Sequence, residues 1–200
     1  TLVGSDAYPP YARPPLSKQL LAGAITHEKT FLRPASYYPE AEIDLRLGCT
    51  VAAIDRAAQR LELEAGGTIP YDRLLLTTGA RARQLTLPGG KGPRVFYLRD
   101  IDDALALRER LQEGVTLAVI GAGFIGLEVA ATARKRGAQV IVLELAPQPL
   151  GRVAAPEIGA FLGTLHRQKG VELRTGVKVT SIEDMGDRQR IAIDGAEPVF

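Results

Sequence analysis

Between Thr116 and Glu144 the sequence spells out one supersecondary unit almost completely. Thr116–Ile120 and Gln139–Leu143 are apolar runs of strand length, Phe124–Arg136 has helical periodicity, and Gly137 stops it. Strands this apolar belong to a parallel sheet covered on both faces, and a helix between them supplies the crossover that parallel pairing needs. The first strand enters its helix through Gly121-Ala122-Gly123-Phe124-Ile125-Gly126, a GxGxxG, and the second strand ends at Glu144, 23 positions after Gly121. Each part has a physical task. Gly121 permits a tight turn, and Gly123 lets a pyrophosphate approach free backbone N–H groups at a helix N-terminus. Gly126 lets helix and strand pack closely, and Glu144 can accept hydrogen bonds from a ribose diol. The same glycines would serve a strand–helix turn without ligand, but the full context favours dinucleotide binding. Glu144 would repel a 2′-phosphate, and Leu145, Ala146 and Pro147 supply no arginine to receive one. NADH is therefore expected over NADPH, with Arg152 the nearest cation that could argue otherwise.

The rest of the second half continues this grammar. Asp102–Gln112 reads as a helix with Asp100 or Asp102 at its start, and Pro156–Gln168 as another ending at Gly170. Val171–Arg174, Val177–Ile182 and Arg190–Ile193 read as strands, and Pro198-Val199-Phe200 heads into a further one. The first half is different. Thr1–Gly4 reads as the end of a strand, and Ser5–Pro15 as a loop holding four prolines. Ser17–Leu21 is a short helix with Ser17 a candidate cap. Ile43–Leu47 alternates as a strand does, Thr50–Asp55 and Arg60–Glu64 are strand candidates, and Gly66-Gly67 marks a turn. Leu74–Gly79 reads as a buried strand ending at glycine. Pro88–Pro93 is the most linker-like stretch and is read as the approach to a domain boundary.

Composition removes several alternatives. Hydrophobic residues are 46% and charged residues 24%, a globular composition. The apolar runs fall far short of the ~20 residues that span a bilayer, so no membrane role is expected. One cysteine, Cys49, cannot make an internal disulfide or a CxxC pair. With only His27 and His166 beside it, no metal site is expected. Nothing requires an oxidising compartment, and the chain is read as cytoplasmic. The net charge of +2 is spread along the chain rather than clustered, which argues against a nucleic-acid face.

Four runs then carry a resemblance: Arg13-Pro14-Pro15-Leu16-Ser17-Lys18, Thr77-Thr78-Gly79-Ala80-Arg81, Leu98-Arg99-Asp100-Ile101-Asp102-Asp103-Ala104, and Val119-Ile120 followed by the fingerprint through Leu127-Glu128. Together they resemble the FAD-dependent NADH:ferredoxin reductase family of oxygenase electron-transfer chains, of the putidaredoxin reductase type. The resemblance covers essentially the whole chain. It implies an α/β fold of two Rossmann-like dinucleotide-binding domains: a partial FAD-binding domain at residues 1–100 and an NAD(H)-binding domain at 101–200 whose C-terminal part is missing. No GxGxxG precedes Gly121 and residue 1 is Thr, so the chain is expected to be an internal piece of a protein near ~400 residues.

The resemblance also implies roles. Asp6 matches the position that binds the FAD adenosine ribose, and Val51 one whose backbone touches the adenine. Arg13 and Lys18 match FAD contacts, with Lys18 near the flavin ring. Thr78 and Gly79 match a turn that approaches FAD, where Thr77 replaces the usual alanine. Arg99 matches an arginine on the flavin side. Glu128 resembles a glutamate that pairs with that lysine, so a flavin-tuning Lys18–Glu128 pair is expected. Gly121, Ala122, Gly123, Phe124, Ile125, Gly126 and Glu144 would hold NADH. The implied function is electron transfer from NADH through FAD to a [2Fe-2S] ferredoxin or a rubredoxin. Two alternatives stay open: a redox-responsive interaction protein resembling apoptosis-inducing factor, and a reductase of rubredoxin or nitrite.

Overall fold

Turn-forming residues and apolar periodicity cut the chain into sixteen regular α and β elements, and a computed structural model describes all 200 residues. In order they are β1 (Leu2–Val3), α1 (Gln19–Ala22), α2 (Tyr37–Glu40), β2 (Leu45–Arg46), β3 (Val51–Asp55), β4 (Arg60–Leu63) and β5 (Thr68–Pro70). There follow α3 (Ile101–Arg110), β6 (Thr116–Ile120), α4 (Phe124–Lys135), β7 (Gln139–Glu144), α5 (Pro156–Gln168), β8 (Val171–Thr175), β9 (Val179–Asp184), β10 (Gln189–Ile193) and β11 (Ala196–Val199). Contacts divide the chain into two units: Thr1–Arg13 with His27–Ala80, and Pro14–Thr26 with Arg81–Phe200. No helix is long and apolar enough to cross a membrane.

In the first unit β1 and β2 form a short parallel ladder, Leu2 opposite Leu45 and Val3 opposite Arg46. The alternation over Ile43–Leu47 is therefore realised at two residues only. β3, β4 and β5 make an antiparallel meander, with the expected turn at Gly66-Gly67. Tyr8, Tyr11, His27 and Phe31 pack as a ring cluster with centroids 5.3–6.5 Å apart. Leu74–Gly79 is not the buried strand its composition suggests. It makes no ladder, and Leu75 and Leu76 are 84% and 61% exposed. A strand apolar on both faces is stable only between neighbours, and no strand of this unit pairs with it.

The second unit is built on the parallel sheet β6–β7–β8, with Leu117 opposite Val140 and Val142 opposite Leu173. Strand alternation sorts its side chains into two cores. Leu117, Val119, Val140, Val142 and Leu173 pack with Leu127, Ala130 and Ala133 of α4 and with Leu107 of α3. Ala118, Ile120, Ile141 and Leu143 face the other way, onto Ile182, Ile191, Ile193 and Val199 of the antiparallel sheet β9–β10–β11. Full burial of a side chain such as Val142 contributes about 1.5–3 kcal/mol. The α/β class and the strand–helix–strand order expected from sequence are both present.

Local signals fix the helix ends. Asp100 caps α3: its Oδ1 accepts from Asp103 N–H at 2.9 Å, and Asp103 Oδ2 reaches back to Asp100 N–H. Such a box contributes about 1 kcal/mol. The Arg136 guanidinium gathers carbonyl oxygens at the C-terminal ends of two other helices: Ala22 at 3.0 Å in the last position of α1, and Arg108 at 3.4 Å in the last turn of α3 with Leu111 at 3.0 Å just after it. His166 ties α5 to α4, its ring nitrogens 2.8 Å from Leu162 O and 3.1 Å from Leu127 O. Pro88–Pro93 is not a free linker. Pro88 O accepts from Ile182 N–H of β9 at 2.9 Å, and Tyr97 Oη donates to Gly90 O at 2.7 Å. Gly89 has φ +79°, and a Cβ there would lie 1.7 Å from Ile182 O, so only glycine fits against the sheet.

Candidate functional site

The GxGxxG turns as its glycines require. Gly121 has φ +105° and donates its N–H to Leu143 O at 2.8 Å, which fixes the loop to the end of β7. Gly123 is the N-cap of α4 in extended conformation, and no side chain caps that helix. A Cβ on Gly123 would meet nothing within 4 Å, so the backbone faces open space there. Gly126 is the opposite case. A Cβ would lie 2.1 Å from Gly121 O and 3.3 Å from Val119 Cγ1, so its lack of a side chain lets α4 close on the loop. Uncapped N–H groups beside open space suit an anion, and the geometry fits a pyrophosphate. Phe124 and Ile125 expose their side chains on the first turn of α4.

Glu144 ends β7 beside this loop. Its Oε2 accepts from Ala122 N–H at 2.6 Å and its Oε1 from Ala146 N–H at 2.7 Å. Two backbone donors thus hold the carboxylate at the carboxyl edge of the sheet, where nucleotides bind in folds of this kind. Leu145, next to it, is exposed. The Ala146 contact is one that the motif alone does not announce.

The second cluster joins residues far apart in sequence. Lys18 Nζ lies 2.6 Å from Glu128 Oε1, and Ser17 Oγ donates to Glu128 Oε2 at 2.5 Å. The expected Lys18–Glu128 pair is therefore formed. Ser17, however, does not cap α1: the N-cap is Lys18, without a side-chain capping bond. The hydroxyl goes to the carboxylate instead because the helix starts one residue later than its sequence suggests. Burial raises the Glu128 carboxyl, but the hydrogen bonds from Lys18 and Ser17 and the Lys18 charge outweigh it and hold the group below its usual range.

The remaining candidates are dispersed. In the first unit Asp6 O accepts from Gly48 N–H at 2.8 Å, which brings the Asp6 loop beside the segment that leads to Val51. Tyr11 Oη donates to Asp6 Oδ2 at 2.8 Å, and Arg13 lies over the Tyr11 ring at 5.1 Å. Sequence reading missed Tyr11. Its signal was its place five residues after Asp6 in a proline-rich loop, where either tyrosine could have served. Thr78 and Gly79 lie in the exposed stretch after Leu76, with Gly79 at φ +68°. Arg99 donates its backbone N–H to Asp103 Oδ2 at 2.8 Å, just ahead of α3.

The family described as pyridine nucleotide-disulphide oxidoreductase matches residues 1–198. The chain belongs to that family. Rhodocoxin reductase of Rhodococcus erythropolis is 45% identical over 186 residues, 92% of this chain and 44% of that protein. Putidaredoxin reductase of Pseudomonas putida is 43% identical over 193 residues, 95% of this chain and 46% of that protein. Among solved structures, the covalent putidaredoxin reductase–putidaredoxin complex matches with TM-score 0.94 and 40% identity, covering 99% of this chain and 49% of that one. This pyridine nucleotide-disulphide oxidoreductase chain thus spans about half the length of the curated relatives it matches. The resemblance read from its four sequence runs is borne out, and so is the α/β class.

Proposed function

We propose that the chain is part of an FAD-dependent oxidoreductase that passes electrons from NADH to a small [2Fe-2S] ferredoxin, in the cytoplasm. The observation that carries this reading is Glu144, held by the Ala122 and Ala146 N–H groups at the rim of an uncapped GxGxxG turn. It is joined by 43–45% identity to reductases named for rhodocoxin and putidaredoxin. Residues 1–100 would contribute to the FAD-binding domain and residues 101–200 to the NAD(H)-binding domain.

When bound, NADH supplies a hydride, and FAD accepts the pair of electrons and can release them singly. This chain's own residues bind and orient. Gly121 makes the turn, Gly123 lets the pyrophosphate approach the uncapped N–H groups at the start of α4, and the N-terminus of that helix favours its charge. Glu144 takes the adenosine ribose hydroxyls and excludes a 2′-phosphate. Asp6, held by Tyr11, would take the FAD ribose, with the Val51 backbone at the adenine and Arg13, Thr78, Gly79 and Arg99 as further FAD contacts. Lys18, fixed by Glu128, would set the charge beside the flavin ring.

The test uses the protein loaded with FAD. It should carry a flavin spectrum, bind NADH in preference to NADPH, and reduce a [2Fe-2S] ferredoxin in many turnovers under anaerobic stopped-flow mixing. Failure to bind NADH would refute the nucleotide reading. A long-lived reduced complex without ferredoxin turnover would favour a redox-responsive interaction protein instead.

A further inference from the structure

α4 holds residue 17 at two points. Thr132 Oγ1 donates to Ser17 O at 2.8 Å, and one turn earlier on the same helix face Glu128 takes the Ser17 hydroxyl at 2.5 Å. Ser17 is 5% exposed and Thr132 7%, so both are buried. Buried hydroxyls in a helix and its approach usually bond to their own local backbone. Here both are directed across to the partner segment. An ionised carboxylate only accepts, so the Ser17 hydroxyl must be the donor. Its proton occupies Oε2 and leaves Oε1 to Lys18 Nζ at 2.6 Å.

This division of the carboxylate has a physical consequence. The Lys18 and Glu128 side chains are 42% and 32% exposed. An ion pair as exposed as that is weak and gives up much of its attraction to side-chain entropy and screening. A glutamate has three side-chain torsions, and nothing in the pair alone selects one arrangement. The Ser17 hydroxyl does select one. It fixes one oxygen from a buried, backbone-anchored position, so the other meets the lysine in one orientation. The same lysine Nζ also donates to Pro14 O at 3.3 Å, a second contact that holds the ammonium.

We propose that Ser17 is a positioning residue, clamping Glu128 so that Lys18 is held at one place beside the bound flavin. The clamp itself is independent of any cofactor, whereas its use in hydride transfer rests on the flavin-side role proposed for Lys18.

The test therefore has two readouts. In the first, the full chain is labelled at the glutamate carboxyl carbons, and Glu128 is assigned with E128Q and titrated by NMR without cofactor. Ser17→Ala should move the Glu128 titration upward, because a hydrogen bond to its charged form is lost, and Ser17→Thr should restore it. An unchanged titration in Ser17→Ala overturns the proposal. In the second, flavin reduction by NADH is followed in FAD-loaded protein. Ser17→Ala should slow it by about three- to tenfold without changing NADH affinity, and Ser17→Thr should recover the rate. Slowing in E128Q without slowing in Ser17→Ala also overturns it. A moved titration with unchanged flavin reduction in both Ser17→Ala and E128Q keeps the clamp and removes the flavin reading. Should Ser17→Ala fail to fold, Thr132→Val releases the other end of the clamp and must shift the same titration upward.

Discussion

The third glycine of the GxGxxG and the second should fail in opposite ways when each is given a methyl group. In Gly126→Ala the new Cβ would stand 2.1 Å from Gly121 O, with Gly121 C at 3.2 Å and Val119 Cγ1 at 3.3 Å. The close atom is backbone and cannot rotate away, so α4 must move out by about 1 Å to restore ordinary contact. Overpacking of this kind costs up to about 3 kcal/mol. Alanine's better helix propensity returns about 1 kcal/mol. The net loss of about 2 kcal/mol should lower the Tm by about 4–8 °C for a chain of 200 residues. In Gly123→Ala the methyl meets no atom within 4 Å, and the residue's φ of −75° suits alanine. Stability should fall by no more than about 1 kcal/mol, the amount by which alanine is the poorer N-cap, while the methyl fills the space through which a pyrophosphate reaches the backbone, so NADH affinity should fall by about tenfold or more. Differential scanning calorimetry and NADH fluorescence titration separate the two outcomes. A Gly126→Ala protein as stable as wild type would refute the packing argument. A Gly123→Ala protein that binds NADH normally would refute the binding one.

Other residues give equally direct tests. Arg136→Met removes the bonds to Ala22, Arg108 and Leu111 carbonyls and should cost about 2 kcal/mol in urea unfolding. Arg136→Lys should recover less than half, because an ammonium lacks the planar fork that spans separate carbonyls. Glu144→Ala combined with Leu145→Arg should move the ratio of kcat/KM values toward NADPH; an unchanged ratio removes Glu144 from the ribose. The Glu128 carboxyl is held below its unfolded value, so its stabilising contribution is present above about pH 4.3 and is lost as pH falls through the lower folded value. Wild type should therefore exceed E128Q in stability at neutral pH and converge with it in acid; a constant difference across that range would contradict the clamp's charge.

Most of the second unit was legible because its signals are local. Five-residue apolar runs, a glycine turn, an Asp100 cap and a proline at the start of α5 each act within a few residues, and the elements β6, α4, β7 and α5 lie where those signals put them. The misreadings share one cause. Leu74–Gly79 has the composition of a buried strand, but burial is a property of neighbours, and composition does not state whether neighbours are present. Pro88–Pro93 has the composition of a linker, yet the Ile182 and Tyr97 contacts that fix it come from segments elsewhere in the sequence. Glu144 was legible at a distance because the strand–helix–strand unit has a nearly fixed length. The spacing from Gly121 to the end of β7 is set by the helix that must cross between parallel strands.

Ser17 had no comparable ruler. It lies 111 positions from Glu128, and a serine after two prolines at a helix start has a default local task. What displaced it from that task is the packing of its neighbours. Leu16, Leu20 and Leu21 are all buried, at 3%, 0% and 0% exposure. The Lys18 and Leu20 N–H groups both bond to Pro15 O, at 3.1 and 2.9 Å, so the turn after the prolines already takes up Leu20 N–H, a donor that a capping serine at 17 would serve. With that donor satisfied by backbone and the leucines facing the core, residue 17 is left outside the helix with a free hydroxyl proton. A buried hydroxyl must find an acceptor, and the nearest strong one is the carboxylate that the adjacent lysine already attracts. The Ser17–Glu128 bond is thus what remains once the prolines and leucines have fixed the rotation of this segment, which is why it could be read only after the fold was known.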